Sequence, residues 1–191
     1  MDLFATLTKG VRRSKQKVAV FVCGAPGSGK STHIQDMIRT TYVSLNADTL
    51  WNLTKDPHVI KQLDTLFTRL IQEGYSFVYE GTCRDPTLMK QRMKRAREHG
   101  YIIKLQMIYA DLPTLLRRVR ARTTQPTPPS VIKEAFLQLQ EHAHEYMDHA
   151  DEVWLYNHQK TSRLIFFKSA QKVVCHSPSS SFYFDVSAYC D

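Results

Sequence analysis

Residues 18–32 read VAVFVCGAPGSGKST, and this stretch decides the fold. The first six residues form a continuous apolar run rich in β-branched side chains, which is typical of a strand buried on both faces of a parallel sheet. The next eight residues match the Walker A pattern G-x-x-x-x-G-K-[ST] at every fixed position. We therefore predict a strand, a phosphate-binding loop and a helix, in that order.

Each residue type in this loop has a chemical reason. Glycines allow successive backbone N–H groups to point at phosphate oxygens, and the N-terminus of the following helix adds a positive dipole end. Lys30 would neutralise charge on the β- and γ-phosphates, and the Ser31 hydroxyl would bind Mg²⁺. The residues predicted to bind the nucleotide are consecutive: Gly24, Ala25, Pro26, Gly27, Ser28, Gly29, Lys30, Ser31 and Thr32.

The rest of the chain alternates apolar runs with stretches of helical spacing. Further strands are predicted at residues 42–45, 76–79, 102–109 and 153–156, and the run LIFF after residue 163 is expected at a sheet edge. Helices are predicted at residues 31–40, 58–73, 86–99, 112–122 and 129–149, with a proline-rich break at residues 123–130. This alternation predicts an α/β fold of the P-loop type, a parallel sheet flanked by helices, with its ligands at the carboxyl ends of the strands.

Composition limits the class of protein. The chain has 191 residues, of which 42% are hydrophobic and 23% charged, and these values favour one globular domain over a disordered chain or coiled coil. No apolar run is long enough to span a membrane. We predict a P-loop domain at residues 18–172, preceded by an extension at 1–17 and followed by a tail at 173–191 to which no role is assigned.

The cysteines and the N-terminus indicate a cytoplasmic protein. Residues 1–17 lack the apolar core of a signal peptide. The four cysteines, Cys23, Cys83, Cys175 and Cys190, show no CxxC spacing. In a reducing compartment they are expected to be free thiols, with no zinc site and no disulfide framework. His142, His144 and His149 fall in a predicted helix with acidic neighbours, and we do not expect them to bind metal.

Polar residues follow the second predicted strand. Asn46, Asp48 and Thr49 lie at its carboxyl end, where a carboxylate can accept the proton of an attacking hydroxyl. Asp48 is therefore the candidate catalytic base, and Asn46 and Thr49 are candidate substrate contacts. The alternative is that Asp48 or Asn46 only caps the next turn.

A second polar group, Glu80, Thr82 and Arg84, follows the third strand. A glutamate is costly to bury there unless it pairs, orients substrate or joins the water shell of a metal. Arg84 offers a planar fork for phosphate or carboxylate. We expect all three residues to bind substrate at the same edge of the sheet.

The net charge of +8 is concentrated in residues 84–122, which hold 11 basic and 3 acidic residues. Arg118 and Arg122 are one helical turn apart and are predicted to stabilise the transferred phosphate from a lid. A solvated face or a nucleic-acid surface is the alternative. On the nucleic-acid interpretation, a polynucleotide would lie along Lys90, Arg92, Lys94 and Arg95.

Taken in order, GAPGSGKST, NADTLW, YEGTCR and LLRRVRARTTQPTPPSVIKEAF resemble the zeta-toxin family of P-loop kinases. They are also similar to the polynucleotide 5′-hydroxyl kinases. The resemblance covers residues 18–160 and implies the roles already given to Lys30, Ser31 and Asp48. It also implies an ATP- or GTP-dependent kinase that uses Mg²⁺, and it leaves room for an antitoxin-like protein inhibitor.

The resemblance bears on the acceptor in two opposite ways. Glu80, Thr82 and Arg84 match the zeta-type E-G-T-x-R element, which implies a small acceptor such as a UDP-activated amino sugar. Cys83 stands where a glycine is usual, Gln125 falls where zeta toxins carry a second lid arginine, and the Arg118–Arg122 pair is more like the polynucleotide kinases. Three functions therefore stay open: a zeta-type small-molecule kinase, which leads, a nucleic acid 5′-kinase, and a nucleotide-regulated binding module without phosphoryl transfer.

Overall fold

The computed structural model describes residues 2–35, 38, 41–122 and 127–190. Its centre is a seven-stranded sheet with strands in the order β2-β3-β1-β4-β5-β6-β7. The strands are β1 Val18–Cys23, β2 Val43–Asn46, β3 Phe77–Gly81, β4 Ile102–Tyr109, β5 Glu152–Asn157, β6 Arg163–Lys168 and β7 Val173–Cys175. The first five pair in parallel, whereas β6 and β7 are antiparallel to their neighbours. The predicted α/β fold with a mostly parallel sheet is confirmed.

Helices cover both faces of the sheet. They are α1 Leu3–Thr8, α2 Lys30–Ile34, α3 Ala47–Thr54, α4 Val59–Glu73, α5 Pro86–Glu98, α6 Leu112–Arg120 and α7 Pro129–His142, with 3₁₀ turns at Ala143–His149 and Ser187–Tyr189. Every residue of β1 is buried. Ala19, Phe21 and Cys23 face the larger apolar core, whereas Val20 and Val22 face a smaller core that includes Ile34 of α2. This burial on both faces explains the continuous apolar run.

The strand register places the predicted chemistry at one edge. Cys23, the last residue of β1, lies beside Gly81 of β3, and Asn46 of β2 lies beside Glu80. The phosphate loop starts at Gly24, directly after β1. The carboxyl ends of three parallel strands therefore meet at this edge.

Several elements differ from those predicted. Helix α3 occupies residues for which no element was predicted, α1 lies in the predicted N-terminal extension, and β7 lies in the predicted tail. The predicted helix at 129–149 is α-helical only to His142, and the helix at 112–122 ends at Arg120. Of the predicted helix 31–40, residues 36, 37, 39 and 40 lie outside the described residues, as does Gln125. Among the helices of the described residues, none has the length and apolarity to cross a membrane.

The expectation of free thiols is wrong. Cys23 is bonded to Cys83, and Cys175 to Cys190. The first pair is 60 residues apart in sequence. The pairing of β1 with β3 nevertheless brings its Cα atoms to 5.4 Å. Sequence spacing alone carries no information on such a contact, because it depends on which strands become neighbours.

Candidate active site

The phosphate loop has the backbone conformation that its glycines allow. Gly27 and Gly29 have φ angles of 88° and 95°, in the region that residues with a Cβ rarely adopt. There is also little room for a larger residue, since a Cβ on Gly27 would lie 3.0 Å from the Leu115 carbonyl and one on Gly29 would lie 3.1 Å from His158 Nδ1. Helix α2 then begins at Lys30. The loop has the strand before it and the helix after it that the sequence predicts.

The side chain of Lys30 folds back over its own loop. Its Nζ donates hydrogen bonds to the carbonyls of Gly24, at 2.7 Å, and Ala25, at 3.2 Å. Burial lowers the pKa of this ammonium group to about 8, although the Glu80 carboxylate opposes the shift. Lys30 thus lies against the backbone of the phosphate loop, and its charge is sensitive to pH near 8.

Glu80 connects the phosphate loop to the end of β2. Its Oε1 accepts a hydrogen bond from the Ser31 hydroxyl at 2.7 Å, and its Oε2 accepts one from the Asn46 side-chain amide at 2.6 Å. Both Glu80 and Asn46 are buried. A carboxylate at hydrogen-bond distance from the Walker serine fits the oxygen-rich surroundings that Mg²⁺ prefers. Among the residues that the structure describes, no group of three or more His, Cys, Asp or Glu side chains could hold a metal.

Asn46 also fixes the position of Asp48. Its Oδ1 accepts the backbone N–H groups of Asp48, at 2.7 Å, and Thr49, at 3.1 Å, which makes Asn46 the N-cap of α3. The capping alternative therefore holds for Asn46. The carboxylate of Asp48 lies in the first turn of α3, on the wall of the cavity described next.

One cavity of about 460 Å³ contains most of the predicted site. Its polar wall combines residues from the phosphate loop, β2, β3 and the segment after α6, namely Pro26, Gly27, Gly29, Lys30, Ser31, Asn46, Asp48, Glu80, Thr82 and Arg122. Arg122 is also close enough to Lys30 to lower the pKa of the lysine, and Asp48 is close enough to raise it. The structure thus brings the loop lysine, a free carboxylate and an arginine to one space.

Part of the cavity wall is apolar, and this apolar wall was missed by the sequence reasoning. It consists of Trp51, Ile60, Leu63 and Tyr79. Trp51 is 41% exposed and Ile60 is 60% exposed, although both are large apolar side chains. The signal that could have found Trp51 is its place three residues after Asp48, which is the same face of a helix.

Seven predicted site residues, all of them described by the structure, are outside the cavity lining, and four of these belong to the phosphate loop and the start of α2: Gly24, Ala25, Ser28 and Thr32. The other three are Arg118, Thr49 and Arg84. Thr49 is exposed, and Arg84 pairs with Glu134 at 3.5 Å. The roles of Thr49 and Arg84 as substrate contacts stay predictions, and neither residue belongs to the lining of this cavity.

Arg118 holds the backbone around the loop. Its guanidinium donates to the carbonyls of Gly27 (3.4 Å), His158 (2.5 Å) and Gln159 (3.2 Å). These bonds tie α6 and the segment after β5 to the phosphate loop. The catalytic role of the Arg118–Arg122 pair stays a prediction: Arg122 lines the cavity, whereas the donors of Arg118 are directed at backbone carbonyls.

The segment after β5 presents a neutral histidine to the loop. Burial lowers the pKa of His158 to about 4, and the nearby His33 and Arg118 lower it further. The His33 ring stacks edge-on against Tyr156 at 4.4 Å, and burial also lowers the pKa of His33. The His158 imidazole, which lies beside Gly29 of the loop, is therefore uncharged at neutral pH.

The predicted polynucleotide track on α5 makes contacts within the chain. Arg92 is only 3% exposed, so it cannot reach a nucleic acid strand. The contacts are Lys90 with Glu145 (2.6 Å), Arg92 with the Tyr79 hydroxyl (2.6 Å), Lys94 with Glu98 (3.9 Å) and Arg95 with the Thr68 hydroxyl (2.7 Å). Lys90, Arg92 and Arg95 therefore hold α5 against neighbouring elements, whereas Lys94 pairs within the helix.

Comparison with known proteins assigns the family. The family model Zeta toxin matches residues 2–169. A protein of Haemophilus influenzae that is named only as uncharacterized is 29% identical over 115 residues, which are 56% of this chain and 81% of the relative.

Two solved structures share the fold. A structure of the PezAT chromosomal toxin-antitoxin system of Streptococcus pneumoniae has a TM-score of 0.67 at 21% identity, covering 86% of this chain and 78% of that chain. The AvrRxo1-ORF1:AvrRxo1-ORF2 complex with ATP has a TM-score of 0.72 at 13% identity, covering 92% and 65%. At such identities these structures establish the fold alone. With the family match over most of its length, the chain belongs to the zeta-toxin family and has the P-loop fold of a kinase-type phosphotransferase.

Proposed function

We propose that this protein transfers the γ-phosphate of ATP or GTP to a hydroxyl of a small acceptor held against the apolar wall. The observation that supports this most is the shared cavity, in which Lys30, Asp48 and Arg122 surround one space. Phosphoryl transfer needs little covalent chemistry from the protein, so positioned charge and a proton acceptor are the parts that matter.

The reaction assigns each group a task. The oxygen of the acceptor hydroxyl forms a bond to the γ-phosphorus, and the Asp48 carboxylate accepts the proton that this hydroxyl loses. The bond between that phosphorus and the β,γ-bridging oxygen breaks, and the nucleoside diphosphate leaves. Lys30 and Arg122 neutralise the charge that spreads over the transferred phosphate. The resulting product is a phosphate ester of the acceptor.

Ser31 and Glu80 are the residues that would hold Mg²⁺. The Ser31 hydroxyl would ligate the ion directly, and Glu80 would accept hydrogen bonds from its water shell. When bound, the ion would supply positive charge that offsets the negative charge of the phosphates. The carboxylate of Glu80 is already fixed by Asn46, so the site needs little reorganisation.

A small acceptor is favoured over a polynucleotide. The apolar wall of the cavity includes the aromatic side chains of Trp51 and Tyr79, which suit a compact molecule with a planar or apolar part. A UDP-activated amino sugar is the acceptor that the family resemblance implies. An antitoxin-like inhibitor is the protein partner that the family resemblance implies. A solved chain from the PezAT toxin-antitoxin system shares the fold of this protein.

A transfer screen with γ-labelled ATP and GTP tests the proposal. UDP-activated amino sugars, nucleosides and 5′-hydroxyl oligonucleotides are offered separately at physiological salt. We expect label on a nucleotide sugar and little on the oligonucleotide. Efficient labelling of the oligonucleotide alone would reverse this ranking, and nucleotide binding without transfer to any acceptor would favour the regulated binding module.

A further inference from the structure

The C-terminal strap, which we define as residues 173–190, lies beyond the residues matched by the family model. It starts with β7, which extends the sheet beside β6, and the Cys175–Cys190 disulfide closes it. Within it Phe182, Tyr183 and Val186 are buried in the larger apolar core. The strap is therefore a packed part of the domain, although the sequence assigned it no role.

Tyr183 connects the strap to the phosphate loop by hydrogen bonds. Its hydroxyl accepts a hydrogen bond from the backbone N–H of Ala25 at 3.1 Å and donates one to the carbonyl of Ile108 at 3.1 Å. Its ring packs edge-on against Tyr109 at 5.1 Å and lies 5.7 Å from Phe136. A single buried phenol thus joins the second residue of the loop to the end of β4.

The geometry around Gly24 makes this bridge tight. A Cβ on Gly24 would lie 2.6 Å from the Ile108 carbonyl oxygen, so the loop backbone passes directly against the group to which Tyr183 donates. Burial raises the pKa of Tyr183, which keeps the phenol protonated and able to donate. Ala25 also provides one of the two carbonyls that hold Lys30. The position of Ala25 therefore affects both the loop and its lysine.

We propose that Tyr183 is a positioning residue that holds the phosphate loop in its nucleotide-binding conformation from behind. The inference rests on the proposed function in that the loop binds a nucleoside triphosphate. Removing the hydroxyl leaves a buried N–H and a buried carbonyl without this partner, which is costly. The nucleotide-binding conformation of the loop then becomes less stable relative to other conformations, and nucleotide binding weakens.

The test compares Tyr183→Phe with Tyr189→Phe. Tyr189 is in the same strap and packs against Phe166 and Phe184, but among the described residues its hydroxyl makes no hydrogen bond. Affinity for a fluorescent ATP analogue is measured by titration, and KM is measured separately for ATP and for the acceptor. We expect Tyr183→Phe to weaken nucleotide binding about tenfold and to raise KM for ATP by a similar factor. The acceptor KM and the Tyr189→Phe affinity should stay within about twofold of wild type.

Hydrogen exchange of the loop provides a readout that needs no activity. Amides in residues 24–29 should exchange faster in Tyr183→Phe than in wild type, and at the wild-type rate in Tyr189→Phe. A Tyr183→Phe protein with reduced thermal stability but unchanged nucleotide affinity and unchanged loop exchange would overturn the proposal, because that outcome is purely structural. If wild type binds no nucleotide at all, the proposed function fails, while loop exchange still decides whether Tyr183 holds the loop.

Discussion

The charge of Lys30 gives a prediction whose size follows from its surroundings. Burial lowers the pKa of this lysine to about 8 in the free protein. A bound triphosphate places negative charge against the ammonium group and raises its pKa again. Nucleotide binding above pH 8 must therefore take up a proton, and binding at pH 6.5 must not, because Lys30 is already charged there.

The magnitude can be worked out from that pKa. At pH 8.5 about a quarter of the free protein carries a charged Lys30, so binding should take up roughly 0.75 protons. Between pH 7 and pH 9 the charged fraction falls about tenfold, and nucleotide affinity should fall by the same factor. The sign is fixed, since the charged form binds and rising pH removes it.

Calorimetric titration in buffers of different ionisation enthalpy measures this proton uptake. Lys30→Arg is the matched control, because arginine stays charged throughout this range and should show no uptake attributable to the side chain. Equal uptake by wild type and Lys30→Arg at pH 8.5, or none in wild type, would refute the reasoning.

Four further changes test other parts of the structure. Gly29→Ala should lower the free energy of unfolding by about 1–3 kcal/mol, because Gly29 has a φ of 95° and lies against the His158 imidazole. The same change should lower nucleotide affinity. Gly10→Ala, with a φ of 80° and nothing within 4 Å, should lower stability alone in chemical denaturation. Trp51→Ala should raise the acceptor KM roughly threefold to tenfold and leave ATP affinity unchanged in binding assays, because the indole belongs to the apolar wall proposed to hold the acceptor. A parallel loss of ATP affinity would contradict this role of the apolar wall. Replacing Cys23 and Cys83 with serine removes a cross-link between residues 60 apart and should reduce the free energy of unfolding by about 4 kcal/mol, and an unchanged denaturation midpoint would contradict it.

The sheet and the phosphate loop could be predicted because their signals are local. A buried parallel strand must be apolar on both faces, which makes Val18–Cys23 visible, and the loop glycines are required by backbone conformations that the structure contains. Asp48 and Glu80 were found because parallel strands end at one edge. Their contacts with Asn46 and Ser31 follow from the strand register.

The features that were missed depend on which distant segments become neighbours. The Cys23–Cys83 bond follows from β1 pairing with β3, and neither residue shows this in its own surroundings. Arg118 has the helical spacing of a lid arginine, but its donors meet backbone carbonyls from the segment after β5. Tyr183 lies 158 residues from the amide it binds, so no local pattern could indicate its role.

The most direct test of the proposed phosphoryl transfer compares wild type with Asp48→Asn. Transfer of label from γ-labelled ATP and affinity for ATP are measured on the same preparations. Asp48 is exposed on the cavity wall and is not part of the phosphate loop, so its replacement should leave ATP affinity within a few fold. Loss of the proton acceptor should lower turnover roughly 10²- to 10⁴-fold. Near-normal turnover in Asp48→Asn, or lost ATP binding with unchanged turnover at saturation, would contradict the account.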